Sequence, residues 1–168
     1  MRWIIWIVAA IAIVAVLVVI VGYSLPKGHS VTRATTVPLT PDAAYSLLAD
    51  VDQYPSWRPG VKALHRHADR DGRPAWTEEA SGMEIPLQFE RMERPSLLVT
   101  RIADPKLPFG GTWTYRIAPA AGGSTVTITE DGEVYNPFFR FMSRFVFGHA
   151  ATLDEFVANL EARAGVKR

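Results

Sequence analysis

Two glutamates are the residues of this chain best placed to move a proton. In the segment Arg73–Ser81, side chains two apart share a face, and Trp76 and Ala80 carry Glu78 onto their apolar side. In Thr125–Tyr135 the even positions Val126, Ile128 and Val134 form the apolar set, and Glu130 falls among them. A carboxyl group enclosed by apolar neighbours holds its proton to higher pH and can serve as a general acid or base. The competing reading is structural: a strand bulges or reaches its wet end there, or each acid pairs with an arginine such as Arg91 or Arg101. A polar anchor for a ligand headgroup lies between the two.

His65 and His67, two apart on a strand, point the same way, which is a spacing that suits a metal. No third histidine or cysteine lies near them in sequence, and Arg66, Asp69 and Arg70 mark a solvated face, so neither a metal nor another cofactor is expected. His149, one turn after Phe145, is expected in a helix core or at a pocket rim. The absence of cysteine excludes disulfides, thiolate zinc sites and a cysteine nucleophile. There is no Walker-type glycine loop, dinucleotide fingerprint, Gly-x-Ser-x-Gly elbow or His-Glu-x-x-His helix, which disfavours nucleotide and hydrolase chemistry. With a formal charge of +1 and the two signs mixed along the chain, the basic stripe that a nucleic-acid partner demands is missing.

These side chains need elements to hold them, and the last stretch organises the others. From Asn136 to Ala164 the positions 138, 142, 145, 149, 153, 156 and 160, all apolar but His149, step by three and four, which predicts one long helix. Asn136 suits its cap, Pro137 its first turn and Gly165 its stop. Phe138, Phe141, Met142 and Phe145 load its first half, while Phe139, Val146 and Phe147 make it apolar on further sides. Such a helix has more to bury than a sheet can cover, so a lipid-like ligand or a bilayer must meet part of it.

Seven strand-like segments precede it: His29–Pro38, Val61–Asp69, Arg73–Ser81, Met83–Glu93, Leu97–Ala103, Gly111–Ala118 and Thr125–Tyr135. Asp71-Gly72 is a two-residue hairpin signal, and Ala120 to Gly123 is a looser one. Thr40-Pro41-Asp42 starts a helix through Ala49, and a short helical turn from Val51 to Tyr54 leads into a rigid loop, Pro55 to Gly60. A strand, then helices, then a run of strands and a closing helix imply an α+β domain with an antiparallel sheet. Alternation turns Met83, Ile85, Leu87 and Phe89 inward, with Trp113, Tyr115 and Ile117, and leaves Glu84, Gln88, Glu90, Thr112, Thr114 and Arg116 to water.

Ahead of the domain, Trp3 to Gly22 runs without a charge or proline, and some 20 apolar residues at about 1.5 Å each span a hydrocarbon core of ~30 Å. A secretory signal has a shorter apolar part and ends at small residues, whereas here the run is longer and no such site follows. The expected organisation is a single-pass anchor over 1–23, a linker over 24–28 and a folded domain over 29–168, with bilayer contact through 3–22. A tether this short confines the domain to the membrane surface.

Four features in order carry a resemblance: Thr40-Pro41-Asp42-Ala43-Ala44-Tyr45 opening a helix, Tyr54-Pro55-x-Trp57-x-Pro59, Gly110-Gly111-Thr112-Trp113 at the start of a late strand, and Glu133-Val134-x-Asn136-Pro137 entering the last helix. Together they resemble the START/polyketide-cyclase (SRPBCC) superfamily from about His29 onward. The resemblance implies a helix-grip fold, a curved sheet of about seven strands around a long C-terminal helix with a deep apolar cavity between them. Its members carry lipids, sterols, quinones or plant hormones, and a few cyclise polyketides, so fold alone leaves the ligand open.

The residues expected around a hydrophobic guest are Trp57, Trp76, Phe89, Trp113, Tyr115, Ile128, Phe138, Phe141, Met142 and Phe145, with the loop Asp104 to Gly110 as a mouth. Binding or transfer of a hydrophobic small molecule is the leading expectation. The alternatives are a cyclase- or dehydratase-like enzyme using Glu78 or Glu130, and a protein-interaction domain at the membrane surface.

Overall fold

The computed structural model describes residues 2–148 and 150–166, the side chain of Phe147 excepted. Helix α1 covers Arg2–Ser24 and is long and apolar enough to cross a membrane. Strand β1 (Gly28–Val37) follows after three residues, and then α2 (Pro41–Ala49), a 3-10 turn (Val51–Gln53) and α3 (Tyr54–Trp57). Strands β2 (Val61–Arg66), β3 (Ala75–Ala80), β4 (Met83–Glu93), β5 (Leu97–Ile102), β6 (Phe109–Ala120) and β7 (Gly123–Val134) come next. Helix α4 (Pro137–Met142), a π-helical stretch (Ser143–Phe147) and α5 (Ala151–Ala164) complete the order.

Local chemistry accounts for most boundaries. Thr40 Oγ1 accepts from Ala43 N at 3.3 Å with Pro41 at the first position of α2, and Asn136 Oδ1 accepts from Phe138 N at 2.9 Å at the start of α4. Asp71 and Gly72 both have positive φ, the pair of values that a tight hairpin turn requires. Gly165 closes α5 in the left-handed region, where a side chain would be strained.

The seven strands form one antiparallel sheet in the order β1-β7-β6-β5-β4-β3-β2, so the first strand closes onto the last. Helix α5 packs on β1 and α3, pinned by Arg33 to Asp154 at 2.6 Å and by Thr35 Oγ1 to Glu161 at 2.8 Å. Leu153, Phe156 and Leu160 on its inner face are buried with Tyr54, Trp57, Trp76, Phe89, Tyr115 and Ile128. Each such side chain contributes ~1.5–3 kcal/mol by leaving water, so this seam dominates the stability of the domain. This is the helix-grip architecture.

Three expectations are corrected. The segment 136–164 is not one helix, because Gly148, at φ 76 and ψ 158, breaks it into a phenylalanine-rich piece and an amphipathic one. His149, which the spacing puts on the shared face, lies outside the described residues. On β4, Met83 is exposed and Gln88 is buried. Met83 sits at the turn of the β3–β4 hairpin, paired with Ala80, whereas Gln88 lies within the sheet, paired with Ala75 on one side and Arg101 on the other.

Candidate functional site

The centre of the grip is occupied by the protein's own rings. Phe156 on α5 stands edge-on to Trp57 at 5.6 Å and to Trp113 at 5.4 Å between centroids, and tilted to Tyr115 at 5.6 Å. Tyr54 meets Trp57 at 5.3 Å, and Trp76 meets Phe89 at 4.9 Å. These edge-on and tilted arrangements are the ones aromatic quadrupoles favour. The apolar chamber expected here is therefore filled at its middle, because Phe156 reaches the space that a smaller side chain would leave open.

Glu78 lies in this part of the interior, almost fully buried, and its Oε1 accepts from Arg58 Nη1 at 3.0 Å and from Trp76 Nε1 at 3.2 Å. Arg58 comes from the proline-bounded loop after α3, with its guanidinium 4.7 Å from the centre of the Tyr54 ring and 5.1 Å from that of Phe156. The arginines considered from sequence go elsewhere: Arg91 pairs with Glu93 and Arg101 with Glu90. Glu78 and Arg58 thus form a buried pair in which each charge compensates the other.

Glu130 has a different setting. Its side chain is 16% exposed, its Oε1 is 3.8 Å from His29 Nε2, and among the described residues its Oε2 has no hydrogen-bond partner. Burial pushes its carboxyl up to about 7, and a hydrogen bond with the Trp113 side chain offsets only part of that. Such a group exchanges a proton near neutrality. Burial also raises the hydroxyl of Tyr115 well above its usual range.

Beside Glu130 the sheet opens. A cleft of about 650 Å³ is lined by His29, Arg101, Ile102, Thr112, Asp131 and Tyr135, and by the backbone of Gly28, Gly110, Gly111 and Gly132. Asp104 and Pro105 of the loop expected as a mouth also line it. The glycines keep it open: a Cβ on Gly132 would run into the His29 ring, and one on Gly110 into the Tyr135 hydroxyl. By alternation His29, Ile102 and Gly132 belong to the inner face and Arg101, Thr112 and Asp131 to the outer, so the cleft straddles the end of the sheet. From this same end β1 leads back to α1, and β7 leads forward to α4.

The named residues thus divide into two groups. Trp57, Trp76, Phe89, Trp113, Tyr115 and Ile128 gather inside the grip. Phe138 is exposed and Phe141 and Met142 half-buried on α4, which packs on α1, and Phe145 is exposed on the π-helical stretch that follows. His65 pairs with Glu79 at 2.9 Å and His67 with Thr77 at 2.8 Å. Among the described residues no group of three or more metal-ligating side chains comes together.

Sequence reasoning missed His29, Arg58 and Arg140. His29 is two before Val31 on β1, a spacing that shares a face, but its approach to Glu130 depends on pairing with β7. Arg58 lies in the loop already singled out as rigid. Arg140 is one of two arginines in the phenylalanine-rich run; it is 6% exposed while Arg144 is exposed, and only the position of α1 distinguishes them.

Residues 28–165 match the family described as polyketide cyclase / dehydrase and lipid transport, and the chain belongs to that family. No curated protein matches it in sequence. Among solved structures it resembles a START superfamily protein from Mycobacterium smegmatis, with TM-score 0.64, 17% identity, and coverage of 82% of this chain and 97% of that one. The Zhui aromatase/cyclase from Streptomyces sp. R1128 superposes with TM-score 0.64 at 16% identity, over 82% and 92% of the two chains. The di-domain aromatase/cyclase StfQ of the steffimycin biosynthetic pathway gives TM-score 0.61 at 19% identity over 83% of this chain, which spans about half (53%) of that one. At these identities the likeness establishes the fold alone.

Proposed function

We propose that this protein is anchored to a membrane by α1 and binds or transfers a hydrophobic small molecule of lipid, quinone or polyketide type. The observation that carries the reading is the cleft at the end of the sheet shared by α1 and α4, with the protonatable Glu130 buried beside it. A guest drawn from the bilayer would meet this opening first. Its polar end would find Glu130 and His29, and its apolar part would extend toward Trp113 and the ring cluster, in the manner of sites where a few polar groups orient an otherwise apolar ligand. Membership in a family that includes lipid transport agrees with this reading.

The test is native mass spectrometry and solvent extraction of the full chain purified in mild detergent. One hydrophobic molecule per chain is expected, and it is expected to be lost from Thr112→Trp, which fills the cleft. A chain recovered empty, with no uptake from lipid vesicles, would falsify the proposal.

A second reading, a cyclase- or dehydratase-like enzyme, draws on one observation: Glu130 titrates near neutrality with an imidazole 3.8 Å away. Glu130→Gln separates the two, since a carrier keeps its guest and an enzyme loses turnover.

A further inference from the structure

We propose that residues 138–146 form a second membrane contact, lying in the boundary between headgroups and acyl chains alongside α1. The first ground is an apolar face without a protein partner among the described residues. Phe138, Phe139, Phe145 and Val146 are 44%, 47%, 59% and 58% exposed. The Phe138 and Phe139 rings meet at 5.6 Å between centroids and those of Phe141 and Phe145 at 4.9 Å, so the exposed side chains stand in adjoining apolar pairs along the segment. Soluble surfaces rarely carry this much contiguous apolar area without covering it.

The second ground identifies what covers it. Its first half, α4, is packed on α1 itself, the element whose apolar run is long enough to cross a bilayer, and the π-helical stretch continues directly from α4. Toward the C-terminal end of α1, Val18, Val19 and Gly22 are withdrawn from solvent, with Leu25 just beyond, whereas most other positions are exposed. Val18 to Gly22 is ~6 Å of helix axis, so the domain overlaps the last turn of the apolar run rather than standing off its end. An apolar face beside that turn lies at the depth where interfacial helices bury theirs, ~5–10 Å into the headgroup and acyl boundary.

The third ground is rigidity. Arg140, on the opposite side of the segment, donates through Nη1 to Gly22 O at 3.2 Å and Leu25 O at 3.1 Å, and through Nη2 to Tyr135 O at 2.9 Å. The carbonyl end of α1 is thereby joined to the start of α4, and a Cβ at Gly22 would overlap the backbone of Pro137. The domain consequently holds one attitude to the membrane, with the cleft end of its sheet toward the lipid. This inference rests on α1 crossing the bilayer and is independent of what the cleft binds.

The chain has no cysteine, so single nitroxide labels can be placed at Phe139→Cys and Phe145→Cys, with Val14→Cys as a reference within α1 and Arg70→Cys as an exposed reference. In the full chain reconstituted in phosphatidylcholine–phosphatidylglycerol vesicles, labels at 139 and 145 are expected to favour collision with oxygen over a water-soluble nickel chelate about tenfold more than the label at 70, as burial at interfacial depth requires. Labels at 139 and 145 that behave like 70 while 14 is in lipid overturn this proposal and leave the anchor standing. A label at 14 that is itself in water overturns both. Spin–spin broadening at 139 or 145, reversed by dilution with unlabelled chain, assigns the face to a second copy and also overturns it.

Discussion

Arg140 donates from Nη1 to the carbonyl oxygen of Gly22 at 3.2 Å, so an arginine of the phenylalanine-rich helix caps the C-terminus of α1. A cation suits that end of a helix, where carbonyls lack intrahelical donors and the backbone dipole is negative. The arrangement turns a short tether into a joint with a defined angle.

Replacing Arg140 by glutamine is expected to loosen that joint. Hydrogen bonds from a charged donor contribute ~1.5–3 kcal/mol each, so losing even one would raise the open population about tenfold or more. Trypsin cleavage after Lys27, in the three residues between α1 and β1, reports it. An unchanged rate would mean that Arg140 does not hold the helix.

Glu130 makes stability pH-dependent in a particular direction. Its folded carboxyl titrates at about 7 against an ordinary 4.5, so between these values the native state binds the extra proton and stability falls as pH rises. The loss is complete above about 7 and amounts to ~3 kcal/mol at most, taking 1.36 kcal/mol per pKa unit. Glu130→Gln is expected to flatten the profile and to be the more stable protein at pH 8. Urea unfolding at pH 5 and pH 8 decides the matter, and an unaltered slope would place the titration elsewhere.

Glu78→Gln is expected to behave oppositely. Removing one partner of the buried pair with Arg58 leaves an uncompensated cation beneath Tyr54 and Phe156, at a cost of roughly 3 kcal/mol. Restoring neutrality with Arg58→Met in the same chain should recover much of it. If the double variant is no better than the single one, the pair is not the reason for the loss.

Phe156→Ala tests whether the ring cluster closes the grip. The expected destabilisation is ~3–5 kcal/mol, read as a lower urea midpoint, and the vacated space adjoins Trp57, Trp113 and Tyr115. A loss below ~1 kcal/mol would show that α5 is held mainly by its polar contacts with β1.

What could be read from the chain alone was whatever neighbours in sequence decide. Caps at Thr40 and Asn136, the turn at Asp71-Gly72 and the inward sets on β6 and β7 depend on residues within a few positions, where backbone sterics and strand alternation act directly. The helix break is legible too, since Gly148 stands in the middle of the periodic run, where a glycine weakens a helix.

Tertiary structure alone decided the partners. Arg58 and Glu78 are 20 residues apart, and Arg140 and Gly22 are 118 apart. No periodicity encodes which acid receives an arginine and which stays open beside a cleft. That choice follows from strand register and from where a loop lands once the sheet has curled. For the same reason the apolar composition of the last segment foretold a need for cover, while the division into a ring cluster under the sheet and an exposed face beside α1 arose only when the chain broke at Gly148 and each half found a different surface.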